Sequence, residues 1–225
     1  MPYDDSTLNS VTRALTRSSG VSDGYIRSTA WRGGNHLGVS GRGYEINVAI
    51  AIQHRPNLTR DARIHGIRLD VSKWRRPPAD SAPTASKASG LYMISTLSKR
   101  AAEDTGYDDA MMYDYRGYVA EATSSNIFLI IDGELVTPIA DCFLAGITRE
   151  TVFEMAARRK LKVTERRVAA SDLAIATEVF LTGTAAESRG VRQIGSYVFA
   201  SSSVTEQLVE DYDVLVRTPE GPMAS

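Results

Sequence analysis

One cysteine, Cys142, stands alone among 225 residues, so no internal disulfide framework can form. A single thiol cannot build a thiolate metal site either. The three histidines, His36, His54 and His65, lack metal-ligand spacing and read as loop or surface residues. Neither sign of charge is in excess: 26 Lys and Arg against 27 Asp and Glu give a formal net charge of -1. No strong field therefore draws the chain to nucleic acid or to an anionic membrane. No apolar run is long enough to span a bilayer. The opening Met1-Pro2-Tyr3-Asp4-Asp5 lacks the basic and apolar regions of a signal peptide, and the expected location is the cytoplasm. There is no Gly-x-Ser-x-Gly elbow, and Gly41-Arg42-Gly43 is not followed by the third glycine of a dinucleotide loop. Internal repeats and low-complexity tracts are also absent from the sequence.

What is present is an ordinary globular balance, 43% hydrophobic and 24% charged, over a length that suits one large domain or two modest ones. Leu8 to Thr16 has helical spacing, with Leu8, Val11, Ala14 and Leu15 on one side. Tyr25-Ile26-Arg27 and Ile46 to Ile52 read as strands separated by a glycine-rich loop. The second is nearly apolar throughout, which predicts cover on both faces. Gln53 to Ala62 is polar, contains Pro56 and reads as a connection. Further strands are expected at Gly66 to Val71, Ala110 to Tyr115, Val163 to Val168 and Val179 to Thr182. Helices are expected at Ala88 to Glu103, Ile147 to Arg159 and Val204 to Leu215. Ile127 to Ile131, Asp132-Gly133 and Glu134 to Thr137 predict a hairpin with a type I′ turn. The irregular mixture of helices and strands argues for a mixed α/β (α+β) protein and against a plain doubly wound sheet.

Four segments could carry chemistry. Lys87 lies in Pro83-Thr84-Ala85-Ser86-Lys87-Ala88-Ser89-Gly90-Leu91-Tyr92, a long cation among small residues with a phenol five positions on. Small neighbours let a flat ligand approach the backbone. A desolvated lysine has a lowered pKa, and its neutral amine can attack an aldehyde such as that of pyridoxal phosphate. A lone lysine of this kind is more often a solvated residue opening a helix. Glu121, in Val119-Ala120-Glu121-Ala122-Thr123-Ser124-Ser125-Asn126, could face a pyridine nitrogen or simply end a strand. Gly146-Ile147-Thr148-Arg149 opens a helix, where free amides and a hydroxyl can cup a phosphate, or Thr148 can act as a plain cap. Thr182-Gly183-Thr184-Ala185-Ala186-Glu187 closes a strand and exposes amides for a phosphate or carboxylate, or makes a tight turn with no ligand. Trp74-Arg75-Arg76 reads as a solvated face.

Taken in order, these segments resemble the class IV, branched-chain-type aminotransferases, the fold type IV pyridoxal phosphate enzymes. Gly24-Tyr25-Ile26-Arg27, Ala30-Trp31-Arg32-Gly33, Gly66-Ile67-Arg68 and Trp74-Arg75-Arg76-Pro77 are similar to that family as well. The resemblance implies a D-amino-acid-aminotransferase-like fold with pyridoxal 5'-phosphate as cofactor. Lys87 would hold the cofactor as a Schiff base and move the Cα proton. Tyr92 would hydrogen-bond its phenolic oxygen, and Glu121 would pair with its pyridine nitrogen. Ile147, Thr148 and Thr184 would bind the phosphate. The amides of Thr184 and Ala185, with the Tyr25 hydroxyl, would hold the substrate α-carboxylate, and Arg27 would meet the side-chain carboxylate of glutamate or 2-oxoglutarate. The implied reaction transfers an amino group from an L-amino acid, of branched aliphatic type, to 2-oxoglutarate in a homodimer or higher homo-oligomer.

Two departures from the family are visible. The Tyr25 segment arrives early, so an N-terminal portion with a phosphate-binding arginine has no counterpart in this sequence, and the small domain is expected to expose a sheet edge. Gln53-His54-Arg55-Pro56-Asn57-Leu58 is polar where relatives carry aromatic pocket residues. The expected partition is a small-domain remnant over 1–52, a connection over 53–65 and a cofactor-binding domain over 66–225. Two alternatives stand beside the aminotransferase: an aminodeoxychorismate lyase-type enzyme on the same scaffold, and a non-catalytic truncated relative.

Overall fold

The computed structural model describes residues 2–34, 38–56, 58–200 and 202–218, which form two units, Met1–Leu58 and Thr59–Ser225. His36 and Asn57 lie outside the described residues.

The first unit is one helix and one hairpin. Helix α1, Asp5–Ser19, starts at Asp4, whose side chain accepts the Thr7 amide, and stops at Gly20 in the left-handed conformation. Strands β1, Gly24–Gly33, and β2, Glu45–His54, pair antiparallel with each other alone. The double cover expected for Ile46 to Ile52 is not found, since no residue of β1 or β2 is buried. The apolar run fits a half-covered ribbon with α1 packed on β2. Val11, expected on the apolar side of α1, is exposed. The connection expected from Gln53 to Ala62 is shorter than the sequence suggests. β2 continues to His54, and helix α2, Arg60–His65, begins after Thr59 caps it through the Ala62 amide.

The second unit is built on strands β3, Ile67–Val71; β4, Asp109–Tyr113; β5, Val119–Ala122; β6, Asn126–Ile131; β7, Glu134–Pro138; β8, Val163–Arg166; β9, Glu178–Gly183; β10, Glu187–Ile194; and β11, Tyr197–Val198. Helices α3, Tyr92–Asp104; α4, Ile147–Arg158; α5, Asp172–Ile175; and α6, Ser203–Arg217, are set among them, with a 3-10 turn over Ser89–Leu91 ahead of α3. Hydrogen bonding runs β10-β3-β4-β5-β6, and β9 pairs with both β6 and β10. Six strands therefore close into a ring, with β7, β8 and β11 as extensions.

Strand alternation decides the two sides of the ring. Ile127, Leu129 and Ile131 of β6 join Val179, Leu181, Leu69, Met111 and Val191 in one core. Phe128, Ile130 and Phe180 point the other way, against Val152, Met155 and Ala156 of α4 and Leu208 of α6. Every residue of β6 is buried, so the near-continuous apolar strand with two covered faces is Asn126–Ile131. The hairpin between β6 and β7 has Asp132 and Gly133 both at positive φ, as the type I′ turn requires.

Glycine is demanded where α2 meets β3. Gly66 has φ +74°, and a Cβ there would lie 2.6 Å from the Gly190 carbonyl oxygen of β10. Gly66→Ala is expected to lower the unfolding free energy by about 2–4 kcal/mol, since backbone strain and a backbone clash act together. Gly133→Ala, also at positive φ but with nothing within 4 Å of its Cβ position, should lose about 1 kcal/mol. Urea denaturation of both variants tests the contrast, and equal losses would remove the close approach from the explanation.

Candidate active site

The start of β6 gathers several of the sequence-derived candidates. Glu121 on β5 stands opposite Asn126 on β6, Asn126 opposite Thr182 on β9, and Thr182 opposite Ser188 on β10. All four are buried, so a polar row crosses four strands beneath the surface. Asn126 ties its parts together. Its Nδ2 donates to Leu144 O at 2.9 Å and to Glu121 Oε2 at 3.3 Å, while its Oδ1 accepts the Gly146 amide at 3.1 Å. A Cβ on Gly146 would meet that Oδ1 at 2.6 Å, so glycine is what lets helix α4 start this close to β6.

Gly146 is the N-cap of α4 and no side chain caps the helix. Thr148 is therefore not the cap; it sits buried in the first turn, and the amides of Ile147, Thr148 and Arg149 precede the first intrahelical bond, Glu150 N to Gly146 O. Arg149 is held away from that end. Its Nη2 donates to Pro138 O at 3.1 Å and pairs with Glu165. β9 ends at Gly183, and the turn Thr184-Ala185-Ala186 is closed by the Ala186 amide on Gly183 O at 3.1 Å. Thr184 and Ala185 are exposed, and Gly183 lies against Ser125, where a Cβ would meet Oγ at 3.2 Å.

Glu121 is buried against a partner that sequence reasoning places wrongly. Trp74-Arg75-Arg76 is not wholly a solvated face, because Arg76 is buried at 7% exposure. Its Nε lies 2.8 Å from Glu121 Oε1, and its Nη2 donates to Ser95 Oγ and Thr123 O, both at 3.1 Å. Pairing Arg76 with Glu121 needs β5 and the loop before α3 to meet, a long-range match with no local signature. The only available signal is the Trp74-Arg75-Arg76-Pro77 stretch itself, already part of the family resemblance. Asn126 and Ser95 give no signal of their roles. Burial pushes the Glu121 carboxyl up to about 7, with Arg76 pulling the other way by charge and hydrogen bond.

Tyr92 opens α3, three residues before Ser95, so the phenol and the Arg76 contact share a helix face. Lys87 is exposed on the loop before the 3-10 turn, and its side chain has no hydrogen bond or ion pair among the described residues. The desolvation expected from its small neighbours is thus not provided, because those neighbours leave the side chain open to water. Tyr25 and Arg27 belong to the first unit, two apart on one face of β1, with the Arg55 guanidinium 6.0 Å from the Tyr25 ring centroid. Asp114, Asp141 and Cys142 also bring ligand atoms within 4.8 Å of one another, but Arg116 pairs with both carboxylates and already supplies the cation.

The chain belongs to the family described as Amino-transferase class IV, which it matches over residues 1–194. It is 35% identical over 221 residues to a probable branched-chain-amino-acid aminotransferase of Rickettsia conorii, covering 96% of this chain and 75% of that one. The structure of the branched-chain aminotransferase of the archaeon Thermoproteus uzoniensis with norvaline superposes with a TM-score of 0.89 at 32% identity, over 97% of this chain and 73% of that one. The T.th. branched-chain amino acid aminotransferase complexed with N-(5'-phosphopyridoxyl)-L-glutamate gives 0.89 at 31% identity, over 98% and 73%. The fold is the mixed α/β, type IV aminotransferase fold expected from sequence.

Glu121 makes folding pH-dependent in the cofactor-free protein. Its folded value lies above the ordinary 4.5, so its contribution to stability is full below 4.5 and is lost as pH rises through about 7. At about 1.4 kcal/mol for each tenfold in proton affinity, Glu121→Gln should gain up to about 3 kcal/mol on the parent between pH 4.5 and 8. Urea unfolding of both proteins at several pH values measures this. A difference that stays constant would mean Glu121 is ionised in the folded chain throughout.

Proposed function

We propose that the chain catalyses pyridoxal 5'-phosphate-dependent transamination of a branched-chain L-amino acid, with 2-oxoglutarate as acceptor, and that it does so as a cytoplasmic homodimer. The observation that carries the reading is the buried Glu121–Arg76 pair, joined through Asn126 to an uncapped helix start and to the turn after β9. These residues fit a phosphorylated pyridine. A carboxylate has about four lone-pair sites. Glu121 has two protein partners there, Arg76 and Asn126, which leaves capacity for a pyridinium donor. The amides of Ile147 and Thr148 and the exposed turn at Thr184 and Ala185 suit an anion.

Bound there, the cofactor supplies an aldehyde reactive toward amines and a ring that withdraws electrons from the substrate Cα. Lys87, solvent-exposed and unpaired among the described residues, is free to hold the cofactor covalently and to carry the Cα proton. Glu121, which Arg76 draws toward the charged form against its burial, would hold the pyridine proton in place. Tyr92 would fix the phenolic oxygen, while Ile147, Thr148 and Thr184 would hold the phosphate. Tyr25, with the Thr184 and Ala185 amides, is assigned to the α-carboxylate and Arg27 to the side-chain carboxylate by family resemblance. The relative with a phosphopyridoxyl-glutamate ligand supports the choice of acceptor.

Borohydride reduction after incubation with pyridoxal 5'-phosphate, followed by peptide mapping, should place the label on Lys87, and Lys87→Ala should abolish turnover. A label on another lysine would overturn the assignment. Glu121→Gln should cut turnover by roughly a hundredfold, the effect of losing a charge-assisted bond worth a few kcal/mol. Leucine should outperform alanine as amino donor, and pyruvate release from aminodeoxychorismate would instead favour the lyase.

A further inference from the structure

The turn after β9 is anchored by the last turns of α6. There Asp213 enters a closed ring of four charges. Arg63 Nη1 lies 2.7 Å from Glu187 Oε2, and its Nη2 lies 2.5 Å from Asp213 Oδ2. Arg217 Nη2 lies 2.7 Å from Glu187 Oε1, and its Nη1 pairs with the other Asp213 oxygen. Each carboxylate thus bridges both guanidiniums, and Arg63 is only 3% exposed.

Glu187 is the residue that matters in this ring. It follows the Thr184-Ala185-Ala186 turn directly, opens β10, and has φ +54°, a conformation that non-glycine residues rarely adopt. A free carboxylate one residue beyond an anion-binding turn would repel the anion. Paired with two guanidiniums it is neutralised, and its backbone is held where the turn needs it. The other end of α6 is fixed as firmly. Glu178 accepts the amides of Val204 at 3.0 Å and Thr205 at 2.8 Å, and although burial works to raise its carboxyl, these bonds hold it below the usual range.

We propose that α6 is a brace for the phosphate-binding turn after β9: Glu187 acts as a positioning residue, fixed by Arg63 and Arg217, which Asp213 holds in place. The ligand is the phosphate monoester of the cofactor, so the inference rests on the function proposed above. It concerns residues that touch the turn and not the ligand.

The test uses the whole chain. Arg217→Met removes one guanidinium from Glu187 at a side chain that is 38% exposed, with little risk to folding. In the cofactor-free protein, hydrogen–deuterium exchange of the amides of residues 184–188 should quicken at least about fivefold in Arg217→Met, a loss of about 1 kcal/mol of local protection. Titration with pyridoxal 5'-phosphate should show a dissociation constant about fivefold to tenfold higher in Arg217→Met. Pyridoxal, which lacks the phosphate, should bind Arg217→Met and the parent alike. Arg217→Lys should restore part of the loss. Unchanged exchange in Arg217→Met, or equal weakening of pyridoxal and its phosphate, overturns the brace. A parent that fails to bind pyridoxal 5'-phosphate refutes the proposed function, and the exchange measurement then still decides whether α6 holds the turn.

Discussion

A guanidinium and a carboxylate sealed together behind β5 set the terms for the rest of this unit. Taking either charge out of water alone would be disfavoured by several kcal/mol, and their attraction in a low-dielectric setting offsets this only with good geometry and further hydrogen bonds. Arg76 lies 2.8 Å from Glu121 and adds bonds to Ser95 on α3 and to the Thr123 carbonyl just past β5. One side chain therefore fixes the approach to α3, the first turns of that helix and the end of β5. The loop carrying Lys87 lies within this frame, between Arg76 and Ser95 in sequence.

The second constraint is the row Glu121, Asn126, Thr182 and Ser188. Four buried polar side chains in register on adjacent strands stand out in a ring whose interior is mainly apolar. Here they mark the end of the sheet at which α4 begins and the turn between β9 and β10 stands. Asn126 is the central member. Its amide meets a carboxylate, a carbonyl and a backbone amide, so a change there would reach Glu121 and the α4 start together.

Local signals read well where the physics is local. The Asp132-Gly133 turn, the end of α3 near Glu103 and the helical spacing of α3 and α4 need only neighbours along the chain, and each appears close to its expected place. β5, β10 and the short helix α2 give weaker signals, because β5 and α2 are brief and β10 is interrupted by Gly190 and by charged and polar residues. The apolar content of Ile46 to Ile52 suggests cover, whereas cover depends on what the rest of the chain places on either face. In the candidate site, motif order identifies Glu121, Thr148 and the Thr184 turn as a group. It cannot identify Arg76, whose role exists only once the loop before α3 meets β5. Nor does it give the setting of Lys87, which small neighbours expose.

Closure of the six-stranded ring has a kinetic side. The parallel pairing of β3 with β10 joins residues about 120 positions apart, and every other strand of the ring is made between them. A ribosome therefore releases β3, with Ile67 and Leu69 destined for the core, long before its partner exists. Until β10 arrives, that edge is an open template for pairing with another nascent chain. Any premature stop before β10 leaves a sheet with two unsatisfied edges and no means of closing. Yield of soluble protein should thus depend on how quickly synthesis passes the β9–β10 hairpin, which nucleates locally and then captures β3.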